Sequence, residues 1–491
     1  MLKRCLFFFI VNFLNFICSY NLAGPNDDKI VACHFTGWGI GGGRLEILDI
    51  EASLCTHLIY CFAGIDEISY KIKVIDHWRD LEKDGGGFKQ FVSLKEKNKH
   101  LKTTIAIGGW DEGSAKFSKM AADPKLRNIF VRSVVNFLTI HKFDGLDLHW
   151  DYPTGREGKP EDKQHYVTLV KELSEALQSN GFLLTGTLRT NVNDLDNIYD
   201  FTHVNFYLDF IHLMTYDYHG HWERLVGANS PLRGKNENDH LSLEYTIKYL
   251  IKYGLTPSKI ILGLPLYGHT FILQNDGAKE IIFGKTETKL NTFSGSFLGV
   301  EGFIGYNEIC LELSNKSSEW VQHWDEYTST PYLRDDGRII SYDNPRSIAN
   351  KVKFALDNGL GGLSVWHLSN DDFRGSCDED INTFKDYMDR FNRISDQPAF
   401  QQALITLQQV GSNNEFYTIS DKKPRLRLPK PKFSNYPLLR TVHEALSLAA
   451  EEKKVLEEMT RLKGMDKEEM KFPCVRTCTE VCYYGMYGKE P

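Results

Sequence analysis

Eight short apolar runs with β-strand character recur between residues 30 and 367, and they constrain the fold more than any other feature. They occupy residues 30–35, 57–62, 103–107, 145–149, 183–187, 210–214, 260–264 and 362–366. Most gaps between them hold one amphipathic stretch of helical length, such as 126–141 and 241–253. Strands that alternate with helices predict parallel βαβ units. Eight such units predict a closed TIM (β/α)₈ barrel in the α/β class.

The spacing of the last two runs and the composition of the C-terminal region predict additions to this barrel. About 95 residues separate the seventh and eighth runs, so we expect an inserted α+β subdomain at about 269–340, within a barrel domain that covers residues 20–395. Residues 396–437 are polar and end in a basic run with prolines, which predicts an exposed linker. The tail, residues 438–491, is expected to carry a solvated, charged helix over 438–470 and a cysteine-containing end.

The N-terminus has the pattern of a secretory signal peptide over residues 1–19. Lys3 and Arg4 precede an apolar run that is too short for a membrane span, which needs about 20 residues. We expect cleavage near Ser19 and a secreted, extracellular protein without a membrane span. The formal net charge of −7 gives no reason to expect binding to nucleic acid.

Secretion favours disulfide bonds among the cysteines that follow the signal peptide. Their spacings do not match a zinc site, so we expect no metal and no cofactor. Cys474, Cys478 and Cys482 cannot all pair with one another, so one is expected to join Cys61, to form an intermolecular disulfide or to stay free. Asn315 begins an Asn-Lys-Ser tripeptide, which is a glycosylation acceptor.

The fourth run leads into a row of polar residues, Asp147, His149 and Asp151. Alternate residues share one face of a strand, and in a barrel that face is the interior, which opens at its C-terminal end on the active site. Polar groups there are costly unless they bond to one another or to a ligand. The row is therefore a candidate functional site, with a self-satisfied buried network as the alternative.

The surrounding sequence, Phe143-Asp-Gly-Leu-Asp-Leu-His-Trp-Asp-Tyr-Pro153, resembles the family-18 chitinase signature Asp-x-x-Asp-x-Asp-x-Glu. Segments 53–60, 105–110, 214–217, 263–268 and 361–366 resemble strand segments of the same family, and the arthropod-type chitinases are the most similar. The resemblance implies a barrel that binds chitin or N-acetylglucosamine oligosaccharides. It also implies endo-hydrolysis of their β-1,4 links, assisted by the substrate's own acetamido group.

Two positions depart from that signature, while Asp144 and Asp147 are kept. The family's final Glu, which protonates the glycosidic oxygen, is here Asp151, and a displacement near 1 Å costs on the order of 10²-fold in rate. The preceding Asp, which holds the acetamido group, is here His149, and a protonated His149 would favour an ionised Asp151. We expect hydrolysis to be lost or strongly impaired, because general acid catalysis contributes roughly 10²–10⁴-fold.

The resemblance also implies sugar-binding residues at the C-terminal ends of the strands. Trp366 would form the floor under the central sugar, because an indole face suits the C–H face of a pyranose. The other expected contacts are Trp38, Trp110, Met214, Tyr216, Asp217 and Tyr267. For Trp38 and Trp110, packing in the core is an equally good interpretation.

Two cleft positions differ from related sequences. His269 stands where those sequences carry Arg, which predicts a weaker charged contact. Arg189 stands among residues that are small in the family, and it could narrow the cleft, pair with Asp151 or Asp217, or lie in an exposed loop.

The resemblance further implies disulfides between Cys33 and Cys55 and between Cys310 and Cys377, with Cys61 as a buried free thiol. Three functions are then open. The chain is a silent chitinase-like lectin, a weak or specialised hydrolase, or an extracellular interaction or signalling protein without a sugar ligand. The first is favoured, because the sugar-binding residues are kept while the acid pair is not.

Overall fold

The computed structural model of the protein describes residues 29–37, 44–191, 195–235, 239–377, 383–386, 389–390, 397–409, 417–420, 423–426 and 435–463. The predicted signal peptide, Trp38 and the three tail cysteines lie outside these residues. The chain forms two compact units. The first runs up to Thr383 and includes Pro431–Leu446, and the second consists of Phe384–Lys430 and the chain from Ser447 onward.

The first unit is built around eight parallel strands. They are β1 (Ile30–Thr36), β2 (His57–Ile65), β4 (Lys102–Gly108), β5 (Gly145–His149), β6 (Leu183–Arg189), β7 (Phe210–Met214), β8 (Ile260–Pro265) and β14 (Gly362–Trp366), while β3 (Ile72–Val74) runs antiparallel to β2. Each strand pairs with the next in this order, and β1 pairs with both β2 and β14. The sheet is therefore a closed barrel, as predicted, and each of the eight predicted runs lies within one of its strands.

Helices connect the barrel strands. They are α1 (Gly87–Ser93), α2 (Ala115–Ala122), α3 (Pro124–His141), α4 (Asp162–Gln178), α5 (Leu195–Ile198), α6 (Phe201–Tyr207), α7 (Leu243–Lys252) and α9 (Pro345–Asp357). The two helices expected from apolar periodicity are confirmed as α3 and α7. The start of α3 is fixed by its sequence, because Asp123 accepts a hydrogen bond from the Lys125 amide and Pro124 occupies the first helical position.

The predicted insertion between the last two barrel strands is confirmed as a separate antiparallel sheet. Its elements are β9 (Tyr267–Ile272), β10 (Phe303–Gly305), α8 (Tyr306–Ser314), β11 (Val321–Asp325), β12 (Thr330–Asp335) and β13 (Arg338–Ser341). Phe271 and Ile339 pack with Val226 and Phe283 in its own buried cluster. Only Leu266 separates β8 from β9, so the insertion begins directly at the C-terminal rim of the barrel.

The segment predicted to be an exposed linker contains regular structure in the second unit. Helix α10 (Pro398–Gln409) is followed by a hairpin of β15 (Tyr417–Ser420) and β16 (Lys423–Leu426). Ala399, Phe400, Ala403 and Leu404 on α10 are buried. Their helical spacing gives α10 an apolar face, which the largely polar composition of the segment conceals.

The C-terminal helix α11 (Pro437–Lys463) begins inside the first unit. A helix was expected over 438–470, of which 464–470 lie outside the described residues, and the described part is not solvated along its whole surface. Leu438, Leu439, Val442 and Ala445 are all buried. Ten of the 27 residues of this helix are charged, but an apolar stripe sets its packing.

The barrel unit holds the start of α11 through hydrogen bonds. The carboxylate of Asp371 accepts the backbone N–H groups of Leu438 and Leu439 at 3.2 and 3.0 Å, which caps the helix. The Tyr436 hydroxyl donates to the carbonyl of Asp49 at 3.2 Å. Within the described residues, no helix combines the length and the apolar character needed to cross a lipid bilayer.

Replacing Leu439 by Ala should lower the free energy of unfolding of the barrel by about 2–5 kcal/mol, because it leaves a cavity beside a capped helix start. Urea unfolding followed by tryptophan fluorescence measures this, since all eight tryptophans lie between residues 38 and 366. Leu48→Ala is the control, because Leu48 is 71% exposed. Equal midpoints for the two variants would show that α11 does not support the barrel.

Candidate functional site

Strand β5 carries the polar row into the barrel interior, where all five of its residues are buried. The side chains that alternate with this row point outward under the helices. The ring of Trp150, the residue that follows β5, stacks on Phe117 with 5.2 Å between centroids, and its Nε1 donates to the Ser114 hydroxyl at 3.0 Å. This packing fixes the rotation of the strand, so that Asp147 and His149 face inward.

Asp147 is held by the neighbouring strand β6. The hydroxyls of Thr185 and Thr187 donate to its two carboxylate oxygens at 2.6 and 2.8 Å. Both threonines point into the barrel from β6, and sequence analysis did not identify them. Hydroxyl-rich alternation along β6 is the signal that could have found them. Asp147 is thus anchored without a ligand, as the alternative of a self-satisfied network predicts for this residue.

His149 is buried beneath the cleft, between aromatic rings. Its ring centroid lies 5.3 Å from that of Phe62 and 6.4 Å from that of Trp366. Its Nδ1 is buried and has no hydrogen-bond partner among the described residues. Burial lowers the pKa of His149, and it outweighs the opposite effect of Asp151 and Asp147. His149 is therefore neutral near pH 7 and is not the cation that the sequence argument considered beside Asp151.

The cation beside Asp151 is Arg189 at the end of β6. Its Nη1 donates to both carboxylate oxygens of Asp151 at 3.1 and 3.2 Å. The side chains are only 18% and 5% exposed, respectively, so this ion pair lies within the wall of the cleft. Of the alternatives open for Arg189 from the sequence, the structure selects the pair with Asp151. Both oxygens of Asp151 act as acceptors, which is the opposite of an acid's role.

Cations and aromatic rings surround this ion pair. The guanidinium of Arg189 lies 5.1 Å from the ring centroid of Trp110 and 5.5 Å from that of Tyr152. Arg156, which sequence analysis did not identify, stacks over Trp110 at 3.6 Å and donates to the Trp110 carbonyl. Trp110 is 55% exposed, so it is not packed in the core.

A second polar cluster lies across the cleft, after β7 and at the start of β9. One carboxylate oxygen of Asp217 accepts from the Tyr267 hydroxyl at 2.5 Å and lies 2.8 Å from His269 Nε2. Burial raises the pKa of Asp217, but the hydrogen bond and charge of His269 and the Tyr267 hydroxyl outweigh it, so the pKa is below its usual value. His269 therefore contacts Asp217 directly, and the expectation of a weaker charged contact than with Arg stays a prediction.

Other predicted cleft residues lie near this cluster. Tyr216 is buried, with its ring 6.1 Å from that of Tyr267, and burial raises its pKa well above the usual value. Met214 ends β7 half-buried, and its carbonyl accepts from the Thr190 hydroxyl at 2.7 Å. Trp222 was not predicted. It is 48% exposed and lies 5.0 Å from His269, and its place in the segment that follows β7 is the signal that could have found it.

Asp144 does not join the site. It precedes β5, and its carboxylate accepts from the Thr103 amide and the Lys95 ammonium, both at 2.8 Å. Five strand residues at about 3.3 Å each separate it from the C-terminal rim. Asp144 therefore links β5 to β4 at the N-terminal end of the barrel, and its place in the signature is structural.

The cysteines pair as the resemblance implied. Cys33 is bonded to Cys55 and Cys310 to Cys377, and Cys61 is a buried free thiol. Asn315 lies exposed just after α8, and its side-chain oxygen accepts the Ser317 amide at 3.0 Å. Within the described parts of the chain, the exposed Glu319 and Asp336 lie close to the buried Asp335, but Asp335 is already paired with Arg338.

Further histidines line the barrel beneath the cleft. His34 and His212 lie 5.7 Å apart by ring centroids, and His34 lies 5.2 Å from Trp366. His367 Nδ1 is 2.7 Å from the Ser369 hydroxyl. Burial lowers the pKa of His34, His212 and His367 to about 3, and neighbouring histidines act in the same direction. The barrel therefore holds these rings in their neutral form.

Comparisons with known proteins identify the family of the chain. Residues 30–371 match the model of "Glycosyl hydrolases family 18". A Drosophila melanogaster protein described as "Probable chitinase 2" is 39% identical over 441 residues, which cover 87% of this chain and 83% of that protein. The Ostrinia furnacalis Group IV chitinase structure has a TM-score of 0.70 at 31% identity and covers 85% of this chain and 100% of that one.

A structure of human YKL-39, described as "a pseudo-chitinase with retained chitooligosaccharide binding properties", is also similar. It has a TM-score of 0.64 at 31% identity and covers 71% of this chain and 95% of that one. The chain therefore belongs to glycosyl hydrolase family 18.

The buried histidines should make the protein sensitive to acid. Their pKa is about 3 in the folded state and 6.5 when unfolded, so below about pH 6.5 the unfolded chain binds more protons and stability falls. Urea unfolding at pH 7, 6, 5 and 4 should show a loss on the order of 1 kcal/mol per pH unit for each histidine. His367→Gln should flatten this slope, whereas the exposed control His203→Gln should not. Identical slopes in all three proteins would contradict this assignment.

Proposed function

From this family membership, we propose that the protein is a secreted chitinase-like lectin that binds N-acetylglucosamine oligosaccharides of chitin without hydrolysing them. The observation that carries the proposal is the ion pair between Arg189 and Asp151. It lies where the family places its general acid, and it engages both oxygens that a proton donor would need. Asp151 is also one methylene shorter than the family's Glu, so its carboxyl lies further from the glycosidic oxygen.

The second member of the catalytic pair, the carboxylate that precedes the acid, is also absent, because His149 takes its place. In the family, a carboxylate steadies the acetamido group while that group attacks the anomeric carbon, and positive charge develops on the ring that forms. A neutral His149 supplies no negative charge for that step. It can still donate a hydrogen bond to an acetamido carbonyl from a ring N–H, which is a binding role.

The surfaces that hold sugar are better preserved than the catalytic pair. Trp366 ends β14 partly exposed at the barrel mouth, where a pyranose can lie on its face. Tyr216, Asp217 and Tyr267 form a polar wall across the cleft, and Asp217 keeps a second carboxylate oxygen for sugar hydroxyls. The similarity to YKL-39 supports the same combination of lost catalysis and kept binding.

Secretion is part of the proposal. It is supported by the apolar N-terminal segment, by the disulfides and by the exposed acceptor Asn315, which we propose is glycosylated. A cysteine of the tail remains a candidate for an intermolecular disulfide.

Binding should depend on Trp366. In a chitin-bead pull-down and in calorimetry with the N-acetylglucosamine tetramer, Trp366→Ala should weaken binding by about tenfold or more, because the sugar loses its stacking platform. Phe206→Ala is the control, since Phe206 is 75% exposed on α6, which leads into the N-terminal end of β7. A natural protein that binds neither ligand would favour an interaction or signalling protein instead.

Catalysis should return only when the ion pair is removed along with the two substitutions. His149→Asp/Asp151→Glu should remain nearly inactive, because Arg189 would still engage the carboxylate at position 151. Adding Arg189→Ser should raise cleavage of a fluorogenic chitooligosaccharide by about 10²-fold or more. Adding Asp147→Asn to the triple variant should abolish that gain. Ordinary chitinase turnover by the natural protein would show that it is a working hydrolase.

A further inference from the structure

The residues on the two sides of Asp151 differ in what they offer a sugar chain. Toward β14 lie His149 and the partly exposed Trp366, a floor that carries no charge near neutral pH. Toward the segment that follows β4 lie the guanidinium groups of Arg189 and Arg156, both within 6 Å of the Trp110 ring. Across the mouth of the barrel, the uncharged floor at Trp366 is thus followed by the ion pair and then by Trp110, which the arginines cover.

We propose that Arg189 is a stop for the sugar chain, so that the protein binds chain ends and not the interior of a chain. This inference rests on the proposed function. Arg189 reaches from the end of β6 to Asp151 with both oxygens engaged, and it is held against Trp110 and Tyr152 at 5.1 and 5.5 Å. Its guanidinium therefore fills the space beyond the acid position that the next sugar needs.

Two further observations support a fixed stop. The Arg156 guanidinium lies 3.6 Å from the Trp110 ring, which is stacking distance, so one face of this tryptophan is unavailable to a pyranose. Breaking the ion pair to admit a sugar would leave Asp151, whose side chain is 5% exposed, as an unpaired buried charge. A neutral sugar offers no compensating charge.

The chemistry of the site identifies which chain end meets the stop. The acid position faces the glycosidic oxygen on C1 of the sugar whose acetamido group lies beside His149. The C1 end, which is the reducing end, therefore points at Arg189.

A β-p-nitrophenyl glycoside of the N-acetylglucosamine trimer tests the stop, because its aglycone extends the chain beyond C1. The natural protein should bind it at least about tenfold more weakly than the free trimer in calorimetry, because the aglycone clashes with Arg189. Arg189→Ser should bind the two ligands within about twofold of each other. Arg132→Ser, which removes a charge from the exposed outer face of α3, should keep the natural discrimination.

In Arg189→Ser, Asp151 loses its partner, and this could destabilise the protein. The double variant Arg189→Ser/Asp151→Asn avoids that problem, because it removes both charges together. It should also bind the two ligands about equally. Equal affinities in the natural protein, or discrimination that persists in both Arg189 variants, would overturn the stop. Release of nitrophenol, or no binding of the free trimer, would instead overturn the proposed function.

Discussion

The ion pair between Arg189 and Asp151 is the constraint on which the cleft depends. Two charges so little exposed are tolerated only together, because removal of either leaves the other unpaired in a poorly solvated place. An Asp at this position draws the carboxyl back toward the barrel wall, and the long side chain of Arg189 occupies the space that it leaves. The two departures from the family pattern are therefore complementary, and in the function that we propose they make the acid position a fixed part of the wall.

The barrel could be predicted from sequence because its strands are buried on both faces and carry continuous apolar runs. The site was partly predictable because its residues follow directly after predicted strands. Leu148 on β5 pairs with Gly186 on β6, so Asp151 and Arg189 each stand three residues beyond matched positions. Neighbouring strands thus bring these two side chains together. The sequence alone left the partner of Arg189 open, because that register is set by closure of the whole barrel.

Other features depend on surroundings that a linear pattern does not contain. The neutral state of His149 follows from its burial between Phe62 and Trp366, which come from distant strands. Asp144 shares a motif with Asp147 but faces the opposite end of the barrel, because the motif spans the whole strand. The start of α11 packs as part of the barrel unit through a cap from Asp371, although its composition suggests a solvated helix.

A crystal structure with the N-acetylglucosamine trimer bound would show whether Arg189 ends the binding site. We expect an uncleaved trimer that lies on Trp366, with its C1 hydroxyl beside Arg189 and with Nη1 still bonded to both oxygens of Asp151. A chain that crosses the position of Arg189, with the guanidinium turned away and Asp151 bonded to a glycosidic oxygen, would contradict this expectation.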